Sequence, residues 1–216
     1  MVIVLDLDIK GAFDNVSTDA IIRSLEKKKA EENIISWYRD YLCNRTCEAE
    51  LGGSKIFAKL TRGCPQGGVA SPVIAWCFSY DDLLESFDAS GVESFGFADD
   101  GRLVITGLDF GTMLKLAQWA LNAAVNWADK AEVSFSPEKT TAMFLNNGLF
   151  HPLALELRPV RGSQPLVETR LKLYGKEIKW AKETKYLGII QDNRLTYKSH
   201  IEAKIAAAKR KLMILR

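Results

Sequence analysis

The pattern of apolar and polar residues predicts a chain that alternates between strands and helices. Val2–Leu7 is an almost wholly apolar run of strand length, typical of a central strand covered on both faces. Residues 92–97 and 102–106 are rich in β-branched and aromatic side chains, and Gly101 between them predicts the turn of a hairpin. From residue 109 to residue 130 the apolar side chains recur at helical spacing. This stripe consists of Met113, Leu116, Ala117, Ala120, Leu121, Ala124 and Trp127.

The other segments continue this mixed pattern. Apolar spacing and capping residues predict helices over residues 20–29, 32–42, 71–87 and 197–216. Gly52-Gly53 predicts the turn of a hairpin over residues 48–60. Short strands are predicted over residues 133–135, 140–145, 171–174, 178–180 and 186–190. Residues 148–170 contain three prolines and predict an irregular connection.

Composition limits the class of protein. With 216 residues, of which 47% are hydrophobic, the chain is long enough to bury a core and needs no more than one or two domains. No apolar stretch approaches the roughly 18 residues that span a bilayer, and the N-terminus lacks a signal-peptide pattern. Two histidines, and four cysteines without metal-ligand spacing, predict no zinc site. We expect reduced thiols and an intracellular protein.

Charge is unevenly distributed along the chain. Residues 1–138 contain 13 Lys and Arg against 21 Asp and Glu, whereas residues 139–216 contain 16 against 6. The basic part is suited to lie along a polyanion such as a nucleic acid. A solvated basic face explains the same composition equally well.

Three aspartates form a candidate metal site. Asp99 and Asp100 are adjacent near the tip of the predicted hairpin, and Asp8 ends the first apolar strand. Adjacent carboxylates resist joint ionisation unless a cation offsets their repulsion. A solvated acidic turn is the alternative, and the third carboxylate favours two Mg²⁺ ions, roughly 3.5–4 Å apart as in phosphoryl-transfer sites. We expect Asp8 and Asp99 to bridge the ions, Asp100 to be a weaker ligand and the Ile9 carbonyl to add one more.

Five motifs, in order along the chain, resemble those of a known family. They are Leu7-Asp8-Ile9-Lys10-Gly11-Ala12-Phe13-Asp14, Arg62-Gly63-Cys64-Pro65-Gln66-Gly67 with Ser71-Pro72, Phe97-Ala98-Asp99-Asp100, Ser134 to Thr140, and Lys185-Tyr186-Leu187-Gly188-Ile189. Together they resemble the palm of a reverse transcriptase of the kind carried by non-LTR (LINE-type, Jockey-like) retrotransposons. A group II intron-type or telomerase-like reverse transcriptase is the related alternative, but residues 185–205 resemble the retrotransposon pattern more closely.

The resemblance implies an α+β palm fold, in which a ferredoxin-like or RRM-like antiparallel sheet carries helices on one face. The implied parts are a palm core over residues 1–147, an irregular connection over 148–170, primer-grip strands over 171–192 and the start of a basic, thumb-like helix over 193–216. Because Met1 lies only seven residues before Asp8, we expect the family's fingers region to be largely missing.

The resemblance also implies residue roles. Asp8, Asp99 and Asp100 are the catalytic, metal-binding carboxylates for two Mg²⁺ ions, with Mn²⁺ as a substitute. Lys139 is the candidate proton donor to the leaving pyrophosphate. Phe13 takes the place of a steric gate that leaves no room for the 2′-hydroxyl of an incoming nucleotide.

Further contacts are implied on both sides of these carboxylates. Gln66 and Gly67 are implied to contact the incoming nucleotide. The residues implied to contact template or primer are Arg62, Tyr186, Leu187 and Gly188. Two positions depart from the family pattern: Phe97 stands where many relatives have Tyr, and Ser136 where the family often has Asn. Neither departure removes a metal ligand.

The function implied is RNA-templated DNA synthesis as part of a non-LTR retrotransposon. Its partners are an RNA template, a DNA primer and deoxynucleoside triphosphates, without a membrane, in the cytoplasm and nucleus. The sequence identifies no protein partner. The alternative is a truncated, catalytically inactive remnant of such an element that binds nucleic acid weakly through its basic part.

Overall fold

The computed structural model describes residues 1–67, 71–88, 90–145 and 170–214. The strands are β1 (Val2–Asp8), β2 (Arg45–Leu51), β3 (Ser54–Leu60), β4 (Val92–Phe97), β5 (Asp100–Thr106), β6 (Thr141–Leu145), β7 (Lys172–Leu173), β8 (Lys176–Glu177), β9 (Lys179–Trp180), β10 (Glu183–Tyr186) and β11 (Ile189–Asp192). The helices are α1 (Ala12–Asn15), α2 (Thr18–Lys27), α3 (Glu32–Leu42), α4 (Cys77–Glu85), α5 (Phe110–Ala131) and α6 (Lys198–Ile214), and a π-helical segment, Ser71–Trp76, leads into α4. The predicted irregular connection over 148–170 lies outside the described residues except for Arg170.

Five strands form the main sheet, in the order β4-β5-β1-β6-β9. Every neighbouring pair is antiparallel except β6 and β9. The apolar run of β1 occupies the centre, where Ile3, Val4 and Leu5 are buried. The register of β1 and β5 places Asp8 opposite Asp100. The first predicted carboxylate therefore lies at one end of the central strand.

Helices α4 and α5 cover one face of this sheet, and α2 packs against both of these helices. Ile3, Leu5 and Leu7 alternate along β1, belong to the core beneath these helices and are at most 4% exposed. The predicted stripe of α5 is buried in the same core, except for the partly covered Leu116. Truncation of Leu5 to Ala should therefore cost about 2–5 kcal/mol of unfolding free energy. The α+β prediction, an antiparallel-rich sheet with helices on one face, is confirmed.

Within the described residues, three two-stranded hairpins lie outside the main sheet. The β7–β8 hairpin packs on α5, where the Gln118 side-chain amide donates to the Lys172 carbonyl at 2.9 Å and accepts from its N–H at 2.8 Å. This amide pairs with the hairpin backbone much as a neighbouring strand does. The β2–β3 hairpin is solvent-exposed along nearly its whole length. The β10–β11 hairpin contacts the sheet face opposite the helices, which we call the second face.

Two predicted strands are wrong. Residues 133–135 form no strand but a single bridge between Phe135 and Ile9, because the chain turns there to pass the end of β1. Residues 186–190 are not one strand, because Leu187 and Gly188 form the turn that joins β10 to β11. All four cysteines lie within the described residues, and none of them forms a disulfide bond there. Among the described residues, no helix combines the length and apolar character that crossing a membrane requires.

Candidate active site

Asp8 and Asp100 face each other at one end of the main sheet. They are directly paired in the ladder between β1 and β5, and Asp99 precedes Asp100 in the adjoining turn. Side chains that are paired in this way have Cβ atoms about 4.5–5.5 Å apart. Desolvation raises the pKa of Asp100, and the neighbouring charges of Asp99 and Asp8 raise it further. The fold therefore places carboxylates together despite their repulsion.

The turn that carries Asp99 is held by a tryptophan. The turn residues between β4 and β5 are Ala98 and Asp99, and Ala98 has a left-handed φ of 53°. For a residue with a Cβ this conformation costs about 1–2 kcal/mol. The indole N–H of Trp76, a fully buried residue in the π-helical segment, donates to the Ala98 carbonyl at 2.6 Å. Trp76 therefore fixes the strained turn in place.

Gly101 is not the turn residue that its position predicts. It lies inside β5, opposite Leu7 of β1 and Gly96 of β4. A Cβ on Gly101 would overlap the Tyr80 hydroxyl, and one on Gly96 would lie 2.6 Å from the Tyr80 ring. The two glycines therefore make room for the Tyr80 side chain beneath the hairpin. Burial raises the pKa of this tyrosine, whose hydroxyl has no hydrogen-bond partner within the described residues.

The carboxylates fit a divalent cation in their chemistry. Asp8 Oδ2 is buried and makes no hydrogen bond within the described residues, although the Lys139 ammonium lies 3.5 Å away. A buried carboxylate oxygen without a hydrogen-bond donor is suited to a cation, and oxygen ligands suit Mg²⁺. Across the described part of the chain, no three acidic, histidine or cysteine side chains are grouped closely enough to hold an ion together. An ion shared by all three aspartates therefore requires their side chains to move closer together.

The predicted backbone ligand lies beside Asp8. Ile9 is buried and bridges to Phe135. The two hydrogen bonds of this bridge run from Lys10 N–H to the Ser134 carbonyl and from Ser136 N–H to the Asp8 carbonyl. The bridge does not use the Ile9 carbonyl, which keeps the predicted ligand role open.

Lys139 reaches the carboxylates because its loop is tied to β1. Ser136 donates its N–H to the Asp8 carbonyl at 2.8 Å, and the Thr140 hydroxyl accepts the Asp8 N–H at 3.4 Å. Between these anchors the Lys139 side chain is 71% exposed, and its Nζ lies 3.5 Å from Asp8 Oδ2. A flexible cation at this distance is placed to stabilise negative charge that develops near the carboxylates.

Phe13 packs against the tryptophan that holds the carboxylate turn. It lies in α1, and its ring centroid is 5.5 Å from that of Trp76. The glycine-rich loop docks beside it, because the Cys64 N–H donates to the Phe13 carbonyl at 2.7 Å. Gly63 belongs to the motif but had no predicted role. Its φ is 78°, and a Cβ there would lie 2.6 Å from the Asp14 carbonyl oxygen. Close backbone approach therefore explains this glycine.

The other residues of the glycine-rich loop divide into two groups. Gln66 donates to Asp14 Oδ1 at 3.2 Å, close to Phe13, and the exposed Gly67 has φ 81°. Arg62 instead lies 3.6 Å from Glu132 and lines a different cleft with it. The structure thus brings Gln66 near Phe13 but does not bring the Arg62 side chain to the carboxylates.

The predicted primer-grip residues lie on the β10–β11 hairpin. Tyr186 lines the same cleft, of about 240 Å³, as Asp8, Asp100 and Lys139. Leu187 and Gly188 form the hairpin turn with φ of 47° and 80°, and Leu187 is 46% exposed. A large exposed apolar side chain in a left-handed conformation is a local conflict of the kind found at functional sites.

Sequence reasoning missed four residues that organise this site. Trp76 and Tyr80 support the hairpin from below, and Asp6 and Arg102 form an ion pair on the second face. A sequence signal was available for the two charged residues. Asp6 stands two positions from Asp8, and Arg102 two positions from Asp100, and residues at this spacing in a strand point to the same face of the sheet.

The chain is similar to known proteins in sequence and in fold. Residues 2–191 match the family model described as reverse transcriptase (RNA-dependent DNA polymerase). The chain is 28% identical over 200 residues to the retrovirus-related Pol polyprotein from type-1 retrotransposable element R1 of Bradysia coprophila, covering 92% of this chain and 18% of the relative. It is 26% identical over 200 residues to the RNA-directed DNA polymerase from mobile element jockey of Drosophila melanogaster, covering 90% and 20%. The chain spans about a fifth of the length of these curated relatives.

The fold is similar to that of a solved structure of apo telomerase from Candida tropicalis. The two share a TM-score of 0.58 at 14% identity, over 90% of this chain and 32% of that chain. At this identity the similarity concerns the fold alone. The family match covers most of the chain and contains all of the paired carboxylates. The chain belongs to the reverse transcriptase (RNA-dependent DNA polymerase) family.

Proposed function

We propose that the chain is the palm of an RNA-directed DNA polymerase from a non-LTR retrotransposon. The observation that carries this proposal is the register of Asp8 against Asp100, with Asp99 in the adjoining turn. Asp8 Oδ2 is buried and makes no hydrogen bond to any described residue. The similarity to R1 and jockey proteins supports the retrotransposon setting.

Members of the family generally use divalent metal ions, and we propose Mg²⁺, with Mn²⁺ as a substitute. Asp8, Asp99 and Asp100 would hold two ions, with the Ile9 carbonyl as a further ligand. Bound there, the ions would stabilise the attacking and leaving oxygens of an in-line phosphoryl displacement. Lys139, within 3.5 Å of Asp8, would hold a proton for the pyrophosphate that leaves.

Substrate selection is proposed to begin at Phe13. Its position on the rigid Trp76 ring leaves little freedom to move aside, so a nucleotide with a 2′-hydroxyl would clash with it. Gln66 is held by Asp14 next to this ring and would contact the incoming nucleotide. Gly67 lets the backbone approach the nucleotide closely.

Nucleic acid binding is proposed for the basic part of the chain. Helix α6 exposes five cationic side chains, Lys198, Lys204, Lys209, Arg210 and Lys211. A telomerase from Candida tropicalis has been solved in complex with a TWJ fragment of telomeric RNA, which supports a template-binding role for this fold. We propose an RNA template and a DNA primer as partners, in the cytoplasm and at nuclear DNA. The Leu187–Gly188 turn would support the 3′ end of the primer.

Primer extension tests this function. The purified chain, with Mg²⁺, deoxynucleotides and a DNA primer annealed to an RNA template, is compared with Asp99→Asn and with Asp40→Asn, a control at an exposed position of α3. We expect Mg²⁺-dependent extension by the wild type and D40N, and none by D99N. Equal extension by D99N would contradict the assignment. Salt-sensitive binding of the duplex without any extension would favour the catalytically inactive alternative.

A further inference from the structure

Asp6 and Arg102 form an enclosed ion pair on the second face of the sheet. Arg102 Nε lies 2.6 Å from Asp6 Oδ1, and Arg102 Nη2 lies 2.9 Å from Asp6 Oδ2. The Arg102 side chain is only 10% exposed, and the Asp6 side chain only 14%. Such a two-pronged pair fixes the orientation of the guanidinium as well as its position.

The same guanidinium contacts three residues of the β10–β11 hairpin. Its Nη1 donates to Gln191 Oε1, and its Nη2 lies 3.4 Å from the Thr184 hydroxyl. The guanidinium carbon is 4.0 Å from the centroid of the Tyr186 ring. Arg102 thus uses its planar fork on the palm side and on the hairpin side at once, which lysine cannot do.

The hairpin depends on such contacts because it is a separate two-stranded sheet. An isolated two-stranded hairpin is marginally stable in water. Helix α6 is tied to it in turn: the Ser199 hydroxyl donates to Glu183 Oε1 at 2.6 Å, and the Ile190 N–H donates to His200 Nδ1 at 3.2 Å. The hairpin and α6 therefore form one unit, which meets the palm at Arg102 and also contacts β6 through β10.

The ion pair is in register with the carboxylates. Asp6 is paired with Arg102 in the β1–β5 ladder, two residues from the pair of Asp8 and Asp100. Alternate residues of a strand share a face, about 7 Å apart. Arg102 therefore joins the hairpin to the strand segment that carries the carboxylates.

We propose that Arg102, held by Asp6, is a positioning residue that sets the distance between the hairpin–helix unit and the carboxylates. This inference rests on the proposed function, because its purpose is to hold the primer 3′ end against Asp8 and Asp100. Arg102 does not touch the reacting atoms. It acts through Tyr186 and the turn that follows it.

Two variants separate this role from simple stabilisation. Arg102→Lys keeps the charge but loses the fork. Gln191→Ala removes the hydrogen bond from Arg102, together with a 3.5 Å hydrogen bond from Gln191 to the Tyr197 hydroxyl, and leaves the ion pair intact. Arg45→Lys is the control, because Arg45 also donates to several carbonyls, those of Leu42, Arg62 and Gly63, away from the hairpin. In amide hydrogen exchange, R102K should reduce the protection of residues 183–192 by about tenfold or more, as expected for lost charge-assisted hydrogen bonds. Q191A should have a smaller effect there, and R45K none.

The functional readout is the affinity for a primer–template duplex, measured by fluorescence anisotropy. R102K should weaken binding by about tenfold, with Q191A intermediate. In an extending enzyme, R102K should raise the KM for the duplex and leave the KM for the nucleotide unchanged. Unchanged exchange in the hairpin, or loosened exchange with unchanged duplex affinity, would overturn the proposal. Absence of extension by the wild type would contradict the proposed function alone, since exchange and affinity still decide the role of Arg102.

Discussion

The indole N–H of Trp76 donates a 2.6 Å hydrogen bond to the Ala98 carbonyl, while the ring of the same tryptophan packs on Phe13. One buried side chain therefore connects the proposed sugar gate to the turn that carries Asp99. The distance between the Phe13 ring and the Asp99 turn is therefore set by the packing of Trp76 in the core.

Replacement of Trp76 by Phe removes this hydrogen bond and leaves the Ala98 carbonyl unpaired. We expect a loss of about 1–3 kcal/mol of unfolding free energy, measured by urea denaturation, and a large loss of primer extension. Trp127→Phe is the matched control, because the Trp127 indole also donates to a backbone carbonyl, that of Ser79 at 3.0 Å. W127F should lose similar stability and retain activity in proportion to its folded fraction. Equal activities of the two variants would argue against a special role for Trp76.

The raised pKa of Asp100 predicts a pH-dependent stability. Because the folded protein binds this proton more tightly than the unfolded chain, the group favours folding at acid pH, and this contribution is lost as pH rises through the raised pKa. Asp100→Asn should therefore melt at a higher temperature than the wild type at pH 7 without metal. The increase should be small, because solvent screens the charge of the exposed Asp100 carboxylate. The difference should vanish below about pH 3, under the ordinary carboxyl pKa. A stability gain that persists unchanged at low pH would contradict this cause.

The left-handed conformation of Leu187 predicts a trade-off between stability and function. Asn tolerates this conformation better than Leu, so Leu187→Asn should stabilise the protein by about 1 kcal/mol. Leu195→Asn is a close control: Leu195 also has positive φ, 55°, and is also 46% exposed. Both variants should gain stability in thermal unfolding. Only L187N should weaken primer–template binding, and equal binding by both would remove Leu187 from the primer site.

The position of Phe13 predicts its effect on sugar selection. Phe13→Val opens space for a 2′-hydroxyl and should reduce the preference for deoxynucleotides over ribonucleotides by about 10- to 100-fold in kcat/KM. Phe57→Val, on the exposed β3 strand, should leave this ratio unchanged. A preserved preference in F13V would show that the 2′ position is read elsewhere.

The proximity of Asp8 and Asp100 could be predicted, because the apolar pattern shows where each strand begins and ends. An apolar run that ends in Asp8, and a second run that begins beside Asp100, place two acids at strand ends that a sheet can align. The turn at Ala98 could not be predicted, since glycine is the usual residue there and Gly101 is nearby. Gly101 is needed instead to make room for the Tyr80 side chain, a tertiary contact that no local pattern shows.

The hairpin at Leu187 was missed for a related reason. Leucine is rare in the left-handed conformation, so the segment reads as a continuous strand. Asp6 and Arg102 are 96 residues apart in the sequence, and only the register of β1 and β5 in the folded protein brings the two side chains together. Local patterns thus predicted most of the elements and the neighbouring carboxylates, whereas the contacts that hold them depend on the tertiary fold.

The central claim is that Asp8, Asp99 and Asp100 together hold divalent cations, and titration of the chain with Mn²⁺, followed by the electron paramagnetic resonance of free Mn²⁺, tests it most directly. The wild type and the control Asp40→Asn should bind with equal affinity. Asp8→Asn and Asp100→Asn should each bind at least about tenfold more weakly, since each removes a charged oxygen ligand. Equal Mn²⁺ affinity in D8N, D100N and the wild type would contradict the account.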